Sequence, residues 1–496
     1  MSESIKSPSA KVDPLSETNS IDIRSPSVES GYADDVTPAE KKALVRKIDR
    51  RIVPPVTLLF LLSFLDRSNI ANAKLFGLVT DLHMSQEQYL VTLSVFFVGY
   101  CLFEIPSNII LKRTSPKIWL PLLMVLWGIV GTLMALSQSY GGLLAARFWL
   151  GWCEAGVFPG IVFYLSLYYK RQDLLTRITL FWSSSSLAGA FGGILGFGIG
   201  KMDGIAGKRG WFWIFVIESL ATIVLAVVCY FLIQDIPQKA KFLNERDQVV
   251  IKSVLAEESD SLRNDSFSWK VARDTFKDYR VYLYTFTWMG QALPLYSFTL
   301  FFPSIIANLG FTAAQAQLMT VPPYVSATLV SVGIAVISQK HNRRAPYIIG
   351  LSALSIIGYI LILSCKKVGV QYLATFFIVT GLYSASALIF TWMAANVSGQ
   401  VKRAVAQAIQ ISIGDIGAIV GCQVYRPNQA PTYPAGHGVA LGFLGMSIIT
   451  TLILWYTLDR ENKRRDEITN GPPTDKSFIT GDDFTGDDDV RWRYIK

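Results

Sequence analysis

The sequence predicts an all-α membrane protein with twelve transmembrane helices in two six-helix bundles. Twelve apolar stretches of about 20 residues each, the length that spans a bilayer, stand six and six around a charged central segment. A helix rises about 1.5 Å per residue, so each stretch can cross about 30 Å of hydrocarbon. Of 496 residues, 51% are hydrophobic and 17% are charged, whereas soluble domains carry about 25% charged residues. We therefore expect most of the chain to be surrounded by lipid.

The predicted spans are separated by short polar loops. In the first half they are residues 52–72, 87–111, 117–137, 142–168, 175–200 and 210–233. In the second half they are residues 280–307, 315–338, 345–364, 370–395, 404–424 and 437–458. The corresponding domains are a tail (1–40), a first bundle (41–233), a linker (234–279), a second bundle (280–458) and a second tail (459–496). We expect residues 1–40 to be disordered, because they are rich in Ser, Pro and acidic residues and lack hydrophobic periodicity.

Basic residues are concentrated in every second loop, which predicts that both termini, the linker and these loops are cytoplasmic. The basic groups are Lys41 to Arg51, Lys112 to Lys117, Lys170 to Arg177, Lys340 to Arg344, Lys402 with Arg403, and Arg460 to Arg465. Lys201, Lys208, Arg209, Lys366 and Lys367 are exceptions. The net charge of +9 is thus explained by topology, and we expect no nucleic-acid partner.

Several functional classes lack their sequence signals. The five cysteines form no CxxC or Cys/His ligand pattern, so neither a disulfide framework nor a metal site is predicted. No GxxxxGK[ST], GxSxG or HExxH motif occurs. We expect no enzymatic activity and no cofactor, and transport by such a chain would draw on ion gradients.

Ionisable residues inside the predicted spans are the strongest functional signal. Each costs about 2.5 to 3.5 kcal/mol at membrane depth, so such residues usually face a partner or an aqueous cavity. Asp66 and Arg67 lie in the first span, and Arg147 and Glu154 share one face of the fourth, about 10 Å apart. Glu154 is expected about 18 Å from one membrane face and Asp66 about 21 Å from the other. Both carboxylates then lie near the midplane.

These groups predict coupling between an anion and protons. Loss of hydration favours the protonated carboxylate, whereas a nearby guanidinium favours the charged one. An anion on Arg147 would weaken that compensation, so Asp66 and Glu154 would take up protons, and Arg67 would assist electrostatically. The alternative is that these groups form permanent salt bridges between helices. The same structural interpretation is preferred for Glu218 and Asp415.

Other candidates are supported by residue type alone. In the seventh and tenth spans, Gln291, Tyr296, Trp392 and Asn396 are able to orient an organic acid in a pocket. Packing between helices explains them equally well. Glu104 precedes a basic loop, and together with Lys112 and Arg113 it is predicted to act in gating.

Four segments of the chain carry a recognisable pattern: DRSNIANA, FEIPSNIILKRTSPKIWLP, RFWLGWCEAGVFPG and VKRAVAQAIQISIGDIGAIVG. Together they resemble the major facilitator superfamily, and within it the fungal allantoate and vitamin permease branch of the anion:cation symporters. The resemblance implies two bundles that rock around a midplane site, and proton-coupled uptake of organic anions at the plasma membrane. It matches Asp66 and Glu154 to the family's proton-coupling acids and Arg147 to its substrate-binding arginine. The loop NIILKRTSPK and Phe212 depart from the family pattern.

We therefore expect a monomeric multi-pass transporter that imports a small organic anion, such as nicotinate, pantothenate, biotin, allantoate or a short peptide, with protons. Moving an anion into a negative interior costs about 2.3 kcal/mol per 100 mV, and each pH unit supplies about 1.4 kcal/mol per proton. One proton per anion removes the voltage penalty. Two alternatives remain open: proton-coupled efflux, and a nutrient receptor that keeps the fold without transporting.

Overall fold

The computed structural model of the chain describes residues 36–258, 269–473 and 485–496, and the regular structure in these ranges is helical. The first bundle contains α1 (Pro38–Leu75), α2 (Leu78–Asp81), α3 (Gln86–Arg113), α4 (Pro116–Met134), α5 (Tyr140–Glu154), α6 (Val157–Ser166), α7 (Arg171–Gly200) and α8 (Gly210–Leu232). Two linker helices follow, α9 (Glu245–Glu258) and α10 (Trp269–Lys277). The second bundle contains α11 (Tyr279–Asn308), α12 (Ala313–Lys340), α13 (Ala345–Ser364), α14 (Val368–Asn396), α15 (Gln400–Gly414), α16 (Ile416–Val424) and α17 (Pro434–Thr469).

The predicted all-α membrane class is confirmed. In the described ranges, eleven helical segments are long and apolar enough to cross a membrane, with α5–α6 and α15–α16 each forming one segment. The remaining predicted span lies in α1, which is 38 residues long. It falls outside this set because Asp66 and Arg67 interrupt its apolar sequence.

Three long helices begin with the same local signal. Thr37, Ser85 and Thr312 each accept a hydrogen bond from the backbone three residues later, and the Glu or Gln at that position bonds back to the cap. This reciprocal arrangement satisfies two backbone donors that a helix start otherwise leaves open. It therefore fixes where α1, α3 and α12 begin.

The start of α1 defines the side of the molecule that we call the terminal side. There Glu40 pairs with Arg246 at 3.1 Å and Lys47 with Asp247 at 2.5 Å, so α9 lies at the start of α1. Residues 485–496 pack against the same side of the second bundle, with Trp492 only 2% exposed. The linker and the last described residues thus share one side. The opposite ends of the long helices form the opposite side.

Helix packing in the first bundle depends on glycines where α3 meets α5. A Cβ on Gly151 would lie 2.0 Å from the carbonyl oxygen of Phe96, and one on Gly99 would lie 2.4 Å from that of Phe148. Glycine is required at both positions because the backbones are already in contact. This close approach holds α5, and Glu154 at its end, against α3.

We expect Gly151→Ala to lower the thermal stability of the protein in detergent, because the added methyl group would force α3 and α5 apart, a type of overpacking that costs about 1–3 kcal/mol. Gly333→Ala in α12 is the matched control, since a Cβ added there would have no atom within 4 Å. Melting curves followed by size-exclusion chromatography would test the difference. Equal melting temperatures for the two variants would contradict the prediction.

Candidate functional site

A small cavity lies between the two bundles, and in this conformation it has room for about one water molecule. The first bundle lines it with Phe60, Phe64, Arg67, Tyr100, Phe158 and Trp182. The second bundle lines it with Trp288, Tyr296, Phe390, Ile411 and Asp415. Eight of these eleven side chains are aromatic and two carry opposite formal charges. The cavity therefore offers flat apolar surfaces together with one cation and one anion.

Aromatic rings close the cavity toward the terminal side. Phe390 of the second bundle lies 4.8 Å from Phe158 and 4.7 Å from Trp182 of the first, between ring centroids. Phe60 precedes Arg67 on α1, and Trp288 precedes Tyr296 on α11, so the backbone positions of Phe60 and Trp288 lie about 10 Å nearer the terminal side. The ring of Trp288 reaches to 6.4 Å from that of Tyr296, between centroids. The rings therefore separate Arg67 and Tyr296 from the terminal side.

Arg67 is the basic residue that reaches the cavity. Its Nε and Nη2 donate to Oε2 of Glu154 at 3.2 and 3.0 Å, and its Nη1 donates to the Tyr296 hydroxyl at 3.2 Å. The guanidinium also lies 5.0 Å from the ring centroids of both Phe96 and Tyr100. Arg67 thus links its own bundle to the second one, and its charge is balanced by Glu154, by the more distant Asp415 and by aromatic faces.

Glu154 lies behind Arg67, fully buried, at the point where α5 ends. Besides Arg67, Ser63 donates to Oε2 at 3.1 Å, whereas within the described residues Oε1 accepts no hydrogen bond. A buried carboxylate oxygen without a donor is costly. Glu154 is therefore an ion-pair partner of Arg67 through one oxygen, and its proton-coupling role stays a prediction.

Arg147 is also fully buried but does not line the cavity. Its Nη1 donates to the backbone carbonyl of Arg67 at 3.4 Å, and its guanidinium lies 5.1 Å from the centroid of Phe96. In the described part of the chain its Nε has no partner. Arg147 lies behind the backbone that carries Arg67, and its assignment as the substrate-binding residue stays a prediction.

Asp66 faces away from the cavity into the first bundle. Its Oδ2 accepts hydrogen bonds from Trp127 Nε1 at 3.1 Å and Thr222 Oγ1 at 2.8 Å, and Asn69 donates to Oδ1 at 3.4 Å. Glu218 of α8 is buried nearby, where a charge on it would repel a charge on Asp66. Asp66 therefore lies next to Arg67 on α1 but does not line the cavity. Its proton-coupling role stays a prediction.

Asp415 lies at a break in the eleventh span, between α15 and α16. It lines the cavity, and its Oδ1 accepts a hydrogen bond from Trp288 Nε1 at 2.9 Å. Gly414 makes this possible, because a Cβ there would lie 2.1 Å from the Trp288 ring. The sequence favours a structural role for Asp415, whereas the structure places it on the cavity wall. The glycines around it are the signal for the break.

The four weaker pocket candidates separate into two groups. Tyr296 lines the cavity. Gln291 is buried between helices and donates to the Ser352 hydroxyl at 2.6 Å. Trp392 and Asn396 donate hydrogen bonds to the backbone carbonyl of Ile495, at 2.7 and 2.8 Å, in the C-terminal segment (residues 485–496). A substrate-binding role for these last three residues stays a prediction, and their observed partners are protein groups.

The bundles meet on both sides of the cavity. On the opposite side Gln423 donates to Ser94 at 2.7 Å, and nearer the terminal side Ser412 donates to Glu104 at 2.7 Å. Thr176 and Gln339 also hydrogen-bond across the bundles. Glu104 therefore has a contact suited to its predicted gating role, whereas the side chains of Lys112 and Arg113 lie outside the described residues. In this conformation the bundles thus contact each other on both sides of the cavity.

Comparison with known proteins agrees with this architecture. Residues 56–422 match the family model of the Major Facilitator Superfamily. An uncharacterized transporter of Schizosaccharomyces pombe is 35% identical over 93% of this chain and 91% of its own length. The MFS-type transporter cnsO of Penicillium expansum is 37% identical over 86% of this chain and 85% of its own length.

Solved structures share the fold at low sequence identity. A bacterial homologue of the human lysosomal transporter Spinster, in an inward-facing and unoccupied conformation, matches with a TM-score of 0.63 and 14% identity. The match covers 85% of this chain and 97% of the other. With the family model matching most of the sequence, the chain belongs to the Major Facilitator Superfamily and is a membrane transporter of that type.

Proposed function

We propose that this transporter imports a small organic anion together with protons, by alternating access to the cavity between its bundles. The observation that carries the proposal is the position of Arg67: its guanidinium lines the cavity, while its carboxylate partner, Glu154, is buried behind it. An anion entering the cavity meets a positive charge that is already paired. Binding of the anion and the charge state of Glu154 are then linked.

The linkage follows from electrostatics in a medium of low polarity. An anion that takes over hydrogen bonds of Arg67 leaves Glu154 with less compensation for its charge. An uncompensated carboxylate in such surroundings is costly, so Glu154 takes up a proton, for which Oε1 is available. Arg67, Ser63 and the more distant Arg147 and Asp66 are the groups that act on Glu154. Anion and proton therefore enter together and leave together.

Alternating access follows from contacts made by groups near the cavity. The Tyr296 hydroxyl of α11 accepts a hydrogen bond from Arg67 of α1, so a movement of Arg67 affects contacts of both bundles. The aromatic contacts of Phe390 would have to separate for release toward the terminal side. We take the terminal side as cytoplasmic because basic residues are concentrated there. Release to that side makes the transporter an importer.

We expect Arg67→Lys to raise the KM for the anion about 10-fold to 100-fold, because a charged hydrogen bond is worth about 1.5–3 kcal/mol and lysine cannot reproduce the forked contact. Arg147→Lys is the matched variant, a buried arginine that does not line the cavity. Its KM should change much less. Uptake of a panel of labelled organic acids into proteoliposomes would give the KM of each variant. A larger KM effect from Arg147→Lys would instead assign the anion to Arg147.

We expect Glu154→Gln to abolish accumulation driven by a pH gradient while exchange of internal for external anion persists. Each pH unit supports about a tenfold accumulation per coupled proton, and the amide cannot carry that proton. Glu87→Gln, an exposed acid at the start of α3, is the control. Uptake with the outside at about pH 5 or about pH 7, and the inside held at about pH 7, would show the difference. Continued pH-driven accumulation in the Glu154→Gln variant would refute proton coupling through this residue, and accumulation driven by a reversed gradient would indicate efflux.

A further inference from the structure

We propose that the transported anion also carries a positively charged group on a flat aromatic frame, and that Asp415 selects for this group. The inference rests on the proposed function and names its substrate class. Arg67 and Asp415 line the same cavity from different bundles. A zwitterion would satisfy both charges at once, whereas a simple anion would leave Asp415 facing a like charge.

The geometry of Asp415 suits a ligand-binding carboxylate. Trp288 donates to Oδ1 and fixes the side chain, and within the described residues no donor reaches Oδ2. The helix break places the carboxylate at the cavity wall, where α15 gives way to α16. Asp415 is 2% exposed, so a cationic group that reached it would be nearly free of competing water.

The walls between the two charges favour an aromatic frame. Phe64 and Tyr296, from different bundles, are stacked with centroids 6.5 Å apart, and Phe60 and Trp288 extend the aromatic lining toward the terminal side. The two rings are too close to admit a third between them in this conformation, so a ligand's ring would pack against their faces as the bundles part, where it gains aromatic contacts beyond the apolar area that it buries. A bridging zwitterion would also hold the two bundles together, which couples binding to occlusion.

Three probes test this inference: 4-(aminomethyl)benzoate, which is zwitterionic, benzoate, which is anionic only, and benzylamine, which is cationic only. Wild-type protein should show a KM for the zwitterion about tenfold or more below that for benzoate, the difference expected for one charged hydrogen bond. Asp415→Asn should remove this preference and leave the KM for benzoate unchanged or lower. Glu87→Gln should retain it.

A wild-type KM for benzoate equal to that for the zwitterion would overturn the inference, as would an equal loss for both probes in Asp415→Asn. Binding of each probe is measured separately by thermal shift. If the zwitterion is preferred in binding but no probe accumulates with a pH gradient, the proposed proton symport fails while the substrate class stands. If benzoate accumulates with the gradient as well as the zwitterion does, the zwitterionic substrate class fails while the proposed proton symport stands.

An independent observation concerns the C-terminal segment, residues 485–496, which occupies a groove formed by α11, α14, α15 and α17 on the terminal side. Asn396 recognises its backbone in both directions, donating to the Ile495 carbonyl at 2.8 Å and accepting from the Ile495 amide at 2.7 Å. Asn462 does the same with Tyr494, at 2.9 Å each way. Two such paired contacts on consecutive residues are typical of a specific peptide-binding site.

Side chains complete the site at both ends of the segment. Lys402 pairs with Asp487 at 2.8 Å, and Arg465 donates to the carbonyl oxygens of Asp489 and Trp492 at 2.9 and 3.0 Å. The backbone amide of Arg344, just before α13, donates to the Lys496 carbonyl at 2.5 Å. The segment therefore connects helices that are distant in sequence, at the ends that lie on the terminal side.

The geometry points to control of the cavity by this segment through α14. That helix carries Phe390, whose ring closes the cavity against the first bundle, and within the next two turns Trp392 and Asn396, which hold Ile495. A docked segment restrains the end of α14 and so holds Phe390 in the closed position. Release of the segment frees α14 to move and favours opening toward the terminal side.

Hydrogen exchange measured by mass spectrometry tests this coupling without a substrate. The double variant Trp492→Ala with Tyr494→Ala alters the segment alone, and Val490→Ala, at a position 41% exposed, is its control. We expect amide exchange in residues 383–391 of α14, and around Trp182 in α7, to rise about fivefold or more in the double variant, the low end of typical coupling between sites. A synthetic peptide of residues 485–496, added in excess, should restore protection.

Faster exchange confined to residues 392–396, or no difference from Val490→Ala, would overturn the coupling and leave only a local contact. Faster exchange throughout both bundles that the peptide does not reverse would indicate general destabilisation and would equally overturn it.

Discussion

The buried ion pair between Arg67 and Glu154 is the constraint on which the rest of the site depends. Removing one partner of such a pair leaves an uncompensated charge and typically costs about 3–5 kcal/mol. The structure surrounds the pair with the Ser63 hydroxyl, the Tyr296 hydroxyl and aromatic faces, so that each charge is stabilised mainly by the other. Any ligand that engages Arg67 must therefore be compensated at Glu154. A transporter needs this dependence if its substrate and its driving ion are to move together.

Two buried carboxylates lie next to short irregularities in their helices. The fourth span is divided at Ala155 and Gly156, directly after Glu154, and the eleventh is divided at Asp415. The backbone stays helical at both points, and Asp415 still donates to the Ile411 carbonyl and accepts from the Ile419 amide, at 2.7 and 3.0 Å. Irregular backbone is tolerated in a membrane where it lines a cavity or is buried in protein. Gly151 and Gly414 permit the close contacts that hold these breaks in place. The glycines that a sequence suggests for packing also position the acids.

Much of the architecture could be predicted from the sequence because membrane thickness sets helix length. The span predicted at 280–307 is Tyr279–Asn308, and that at 345–364 is Ala345–Ser364. The first span is harder to recognise because its own charged residues reduce its apolarity. The charge signal likewise identifies the group of Arg67, Arg147 and Glu154, all of which are buried and close together.

Which member of that group reaches the cavity could not be predicted, because helical spacing places Arg147 and Glu154 on one face without showing which face meets the second bundle. The aromatic lining was missed because Phe60, Phe158 and Phe390 are indistinguishable in sequence from lipid-facing residues. Trp392 and Asn396 looked like pocket residues because their partner, Ile495, lies far along the chain, and no local pattern signals that pairing.

The position of α14 implies that the cavity and the C-terminal groove influence each other in both directions. One helix presents Phe390 to the first bundle and Asn396 to Ile495, so any movement that opens the cavity toward the terminal side also disturbs the groove. Coupling free energies between two binding sites are reciprocal. If docking of the segment favours the closed cavity, then a ligand that stabilises the closed cavity must tighten docking of the segment by the same factor. The segment would thus report cavity occupancy to the terminal side as well as restrain the gate.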